Sequence, residues 1–123
     1  MYDTAPFSPL YGPNAGSAAG SFAASVTIAG TTAAQSAALP GNQTGGNGFR
    51  QVQIANTTTS WAYVNFGQTT SNVVAATVAA SLPVAPGVTR TVTVASEVCA
   101  VSVILGSTPG TNTSIIFTRG NGM

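Results

Sequence analysis

The chain has 123 residues, of which 44% are hydrophobic and only 4% charged, against about 25% charged in ordinary soluble domains. Histidine and lysine are absent, so the three arginines, Asp3, Glu97, Cys99 and three tyrosines are the only titratable side chains, and the formal net charge is +1. No nucleophile–base pair, general acid–base pair or metal-ligand cluster can be assembled from that set. So weak a positive charge also cannot neutralise a phosphate backbone. The sequence therefore predicts neither an enzyme nor a cofactor or nucleic-acid binder. It predicts one domain with a wet, electrically quiet surface of Thr, Ser, Asn, Gln and Gly.

The N-terminus, MYDTAPFSPLYGPNAG, has no basic region leading into a continuous apolar run, so it does not read as a signal peptide. No stretch of the chain is long and apolar enough to predict a membrane span. Pro6, Pro9 and Pro13 forbid a helix over residues 1–20 and remove ladder donors. That segment is expected to be an extended arm, with Phe7, Leu10 and Tyr11 either fraying with the terminus or docking on a neighbouring subunit. Residues 21–123 are expected to form the folded domain.

From residue 21 the hydrophobic period is two. In SFAASVTIAG, Phe22, Ala24, Val26 and Ile28 share one face. TTAAQSAAL (31–39) is open to a helical turn or a ragged strand. GNQTGGNG (41–48) predicts a mobile loop, because a phosphate cradle would need a following helix and a Lys-Ser/Thr pair. FRQVQIA (49–55) and WAYVNFG (61–67) are two strands, and VVAATVA (73–79) is a weaker one. The prolines of LPVAPG mark an edge segment. VTRTVTVA sets Val88, Val92 and Val94 against Thr89, Thr91 and Thr93. VCAVSVIL has the near-continuous apolar character of a central strand, in which Cys99 reads as a small buried hydrophobe. TSIIFTR (113–119) closes the series. About seven to nine short strands without a long helix predict an all-β antiparallel sandwich or jelly roll. The sequons at Asn42, Asn56 and Asn112 carry little weight in so Thr- and Asn-rich a chain.

The segment GFRQVQIANTTTSWAYVNFG reads as a hairpin. An odd-length loop would pair Val52 with Val64 and Ile54 with Ala62 on the core face, with Phe66 beyond them. Trp61 and Tyr63 then fall on the opposite face among Gln51, Gln53 and Asn65. Three readings stay open for them. The faces could be inverted with Trp61 a core anchor, a loop or arm of the same chain could cover the ring, or the pair could form a contact patch. Arg50, Arg90 and Arg119 lie on the apolar parity of their strands, where a stem can cover apolar surface while the guanidinium meets water, a carbonyl or a partner's acid. Together with Phe7, Leu10, Tyr11, Trp61 and Tyr63 they are the candidate interface residues.

The run AYVNFGQTTSNVVAATVAASLPVAPGVTRTVTV, followed by AVSVIL and TRGNGM, resembles small head proteins of tailed bacteriophages. Three features carry the likeness over about residues 48–123: an aromatic-Gly at Phe66–Gly67, a Leu-Pro-Val-x-Pro-Gly turn from Leu82 to Gly87, and a closing Gly-x-Gly at Gly120 and Gly122. The chain departs from the group at Asn121, where an acidic residue is frequent. The resemblance implies a jelly-roll-like capsid decoration or cement protein, homo-oligomeric as a trimer or dimer, made in the host cytoplasm and carried on the virion surface. Its implied partner is the major capsid protein, with no nucleic acid or membrane contact. A receptor- or carbohydrate-binding sandwich of a phage tail or fibre is the alternative.

Overall fold

Alternating apolar and polar residues can satisfy their backbone groups in sheets while burying one face, and this chain does so with two sheets facing each other. The computed structural model describes residues 8–9, 25–40, 50–95 and 97–121. Phe7, Leu10, Tyr11, Phe22 and the glycine-rich 41–48 lie outside them, as does the expected domain boundary at residue 20. The strands are β1 (Ser8–Pro9), β2 (Ser25–Ala29), β3 (Gln35–Ala38), β4 (Gln51–Asn56), β5 (Ala62–Gly67), β6 (Leu82–Val84), β7 (Thr89–Thr93), β8 (Ala100–Leu105) and β9 (Ser114–Asn121). No helix occurs among the described residues, so none crosses a membrane.

Sheet A runs β2-β9-β4-β7, with the two-residue β1 beside the end of β9 next to β2; sheet B runs β3-β8-β5-β6. All pairings are antiparallel. Taken from β2 onward, the first, eighth, third and sixth strands form one sheet, and the second, seventh, fourth and fifth form the other. That order is the eight-stranded jelly roll. The core between the sheets contains Ile28 and Leu39, then Val52 and Ile54 of β4 facing Ala62 and Val64 of β5. Val84, Val101, Val103, Leu105, Ile115 and Phe117 complete it.

Two expectations are corrected by this topology, and one open reading is resolved. The expected hairpin does not form: β4 pairs with β7 and β9, and β5 pairs with β6 and β8, so the two strands sit in opposite sheets. The residues expected on the core face are indeed buried there, but they meet across the sandwich and not along a shared ladder. Residues 73–79 are not a strand. They belong to the β5–β6 connection, whose backbone is engaged by side chains and turns: Asn65 Nδ2 donates to Val74 O (3.2 Å), Ala76 N donates to Ser102 Oγ (3.0 Å), and Ser81 N donates to Thr77 O (3.2 Å). Within the ambiguous 31–39, residues 35–38 form β3, because the open edge of β8 offers a ladder that outweighs the helical preference of the alanines.

Two sheet-to-sheet corners meet at Asn56. Its buried carboxamide donates to Ser60 O (2.9 Å), Val84 O (3.1 Å) and Ala85 O (3.3 Å), and accepts from Thr58 N (3.0 Å) and Thr58 Oγ1 (2.7 Å). Asn56 O accepts from Gly87 N (2.9 Å). The second corner is a turn with Pro86 and Gly87 at its centre, closed by Val88 N to Ala85 O (3.2 Å) with Gly87 at φ 72°. Positive φ at that position is the type II requirement that glycine meets without a Cβ clash.

Candidate functional site

The hydroxyl run before Trp61 is consumed by structure. Thr57 Oγ1 donates to Ser114 O (2.6 Å), Thr59 Oγ1 accepts from Gly110 N (3.4 Å), and Ser60 Oγ lies 2.9 Å from Ser107 Oγ. Thr58 bridges Asn56 and Ser60. These bonds tie the β4–β5 corner to the β8–β9 connection. Because Asn56 is 1% exposed, its sequon cannot accept a glycan in the folded chain.

Beyond that corner, β5 alternates. Ala62, Val64 and Phe66 face inward, while Trp61, Tyr63 and Asn65 face out of sheet B. The core-anchor reading of Trp61 is thereby excluded: the residue is 48% exposed, and among the described residues it stands with Val74, Val78 and Val88 as the exposed large hydrophobics. Tyr63 is half-buried, with Ile104 of β8 and Pro83 of β6 as its register neighbours. A Cβ added at Gly106 would stand 3.3 Å from Tyr63 Cε1, so the glycine leaves room for the phenol ring. Gly106 N also donates to Trp61 O (2.9 Å), extending the β5–β8 ladder under the indole.

The other half of this outer face is covered. Residues 68–81 cross it, bonded to Asn65 and to Ser102, which is 1% exposed although it points away from the core. Gly67 permits the approach, since a Cβ there would come within 2.8 Å of the Val73 backbone. The covering segment displays Val74 (71% exposed) and Val78 (50%). Sheet B therefore presents Trp61, Tyr63, Ile104 and Pro83 on a rigid ladder, beside a segment with two more exposed valines. Sequence reasoning found the two aromatics by parity but not Ile104, Pro83 or the covering segment. Ile104 was legible as the outward residue of VCAVSVIL; the cover had no period to mark it.

The three arginines part company. Arg50 is exposed. Arg90 is also exposed, and its guanidinium donates to Pro83 O (3.0 Å), linking the β7 edge of sheet A to the β6 edge of sheet B. Arg119 is 2% exposed, points inward after Ile115 and Phe117, and donates to Val98 O, so it offers no surface. Burial pushes its guanidinium below the ordinary arginine value, with nearby Cys99 working against the shift; the arginine remains charged near neutral pH. Cys99 is half-buried and precedes β8, so it is not the fully buried strand residue that the sequence suggests.

Among the described residues no three His, Cys, Asp or Glu side chains come together. An open hollow of about 300 Å³ between the β2–β3 and β8–β9 connections is lined by Gly30, Thr31 and Thr32 on one side and Thr108, Pro109, Gly110 and Thr113 on the other, with no titratable group. Comparison of the chain with protein families, curated proteins and solved structures gives no match.

Proposed function

We propose that the protein is a structural virion component, a capsid decoration or cement protein that bridges and stabilises major capsid protein subunits through the outer face of sheet B. The half-exposed Trp61, held on a paired strand beside Tyr63 and Ile104, carries this reading. Aromatic side chains fixed among amides and hydroxyls, with charge excluded, are the composition of an interface core. The jelly roll supplies a rigid platform, and Arg90, bonded to Pro83 O on β6, stands as an exposed cation at its edge. The mechanism is mechanical: apolar area buried across adjacent subunits opposes their separation, and many copies on one shell multiply a modest single-site affinity.

The test is to mix the purified protein with empty capsids and to measure binding and the temperature at which the shells come apart. Wild type is expected to bind and to raise that temperature. Trp61→Ala is expected to weaken binding by about thirtyfold, as for an aromatic hot spot, while changing the protein's own stability by no more than about 1 kcal/mol. Absence of binding and of stabilisation by wild type would end the reading.

A further inference from the structure

The ladder between β4 and β7 fixes which way each backbone group of β7 points. Val94 N donates to Arg50 O (2.6 Å) and Asn56 N donates to Val88 O (3.1 Å). The register sums these pairs share with Val52↔Val92 and Ile54↔Arg90 make Val88, Arg90, Val92 and Val94 the residues bonded to β4. The N–H and C=O groups of Thr89, Thr91 and Thr93 consequently face the edge of sheet A, where β7 is the last strand among the described residues.

That edge lacks the devices that usually protect one. The five register pairs from Gln51↔Thr93 to Ala55↔Thr89 run without a bulge. The strand contains no proline, lysine or acid, and its one charge, Arg90, is turned toward Pro83 O on β6. By contrast β6 is three residues long and contains Pro83. Gly106 N to Trp61 O places the odd residues of β5 against β8, so Pro83, opposite Tyr63, directs its missing N–H outward.

We propose that β7 is a self-association surface, pairing antiparallel with β7 of a second copy about a two-fold axis through Thr91. The strand fits itself. In that register Thr89 meets the partner's Thr93, Thr91 meets Thr91, and Thr93 meets Thr89, so every outward-facing residue opposes an outward-facing one. The pairing forms six main-chain hydrogen bonds and leaves none of these groups idle. On the outer face of sheet A it makes three Thr–Thr cross-strand pairs, which favour pairing. On the inner face each Arg90 stem lies opposite the partner's half-buried Val92. A net charge of +1 per chain adds almost no repulsion between copies. The contact is isologous and closes on itself, so it yields a dimer with a continuous eight-stranded sheet and no open-ended fibre. A five-residue edge buries little area, so the dimer is weak, with a Kd of roughly 10 µM to 1 mM. This surface is separate from the outer face of sheet B and stands whether or not the protein binds a capsid.

Sedimentation equilibrium of the intact chain from about 10 µM to 1 mM tests it, with circular dichroism confirming that each variant is folded. Wild type is expected to form a dimer. Thr91→Lys, which puts like charges opposite each other at the axis, and Thr91→Pro, which removes only an outward N–H, are each expected to weaken the dimer at least about tenfold. Thr27→Lys, on β2 at the far side of the same sheet, is expected to leave it unchanged. A wild type that stays monomeric throughout overturns the proposal. So does a dimer that survives both Thr91 variants, or one that Thr27→Lys dissolves equally.

Discussion

Replacing Asn56 with alanine removes a side chain that joins both sheet-to-sheet corners. The carboxamide makes three donor contacts to Ser60 O, Val84 O and Ala85 O, and two acceptor contacts from Thr58. These losses are unequal. Ser60 O keeps the Thr58 hydroxyl (3.0 Å) and Ala85 O keeps Val88 N (3.2 Å), so neither is stranded. The Thr58 N–H is stranded in a residue only 2% exposed, which costs about 2 kcal/mol. The shorter bonds to Ser60 and Val84 contribute about 1 kcal/mol each. The expected loss is about 4 kcal/mol, a large share of the 5–15 kcal/mol typical of a domain, and roughly 15 °C in Tm for a chain of this size. Urea unfolding should show a lower midpoint at unchanged slope. Asn56→Asp is expected to be no better near neutral pH, because it retains the acceptor for Thr58 but turns oxygens toward three carbonyls. A loss below about 1 kcal/mol for Asn56→Ala would refute the claim that this carboxamide holds the corners.

Two further outcomes follow from packing and charge. Gly67→Ala is expected to cost about 1–3 kcal/mol, because its Cβ would press on the Val73 backbone. It should also speed hydrogen exchange at Ala76 N–H as residues 68–81 lift from Ser102; unchanged exchange would contradict the proposed close approach. Stability should be nearly flat from about pH 5 to pH 9, since the chain has no histidine and two carboxylates. Arg119 does not alter this. Its guanidinium is depressed by burial, so the folded state binds fewer protons only in strongly alkaline solution. Stability would therefore rise with pH there and stay constant below. A midpoint that moves markedly between pH 5 and 9 would count against this account.

Much of the candidate site was legible before the fold. Alternation alone states which side of a strand is apolar, so Val52, Ile54, Ala62 and Val64 could be assigned inward and Trp61 and Tyr63 outward. What alternation does not encode is the partner. A hairpin and a crossing between sheets bury the same faces of β4 and β5, and the five-residue corner that distinguishes them works because Asn56 reaches carbonyls of Val84 and Ala85, far along the chain. The cover over half of sheet B was equally hidden. Residues 73–79 look strand-like in composition, yet their backbone is satisfied by Asn65, Ser102 and local turns, none of which leaves a periodic trace.

The sequence by itself determined the fold class of the protein: β-branched alternation and Pro-Gly punctuation specify antiparallel strands with one apolar side. Only the tertiary structure decided which strands pair. It also decided that Arg119 is enclosed while Arg50 and Arg90 are exposed, and that Trp61 stands at the surface beside a covered half-face. The physical reason is range. Facing is set by a residue and its neighbours two positions away, whereas ladders such as β4 with β7 and β9 are long-range contacts selected by the energy of the whole core.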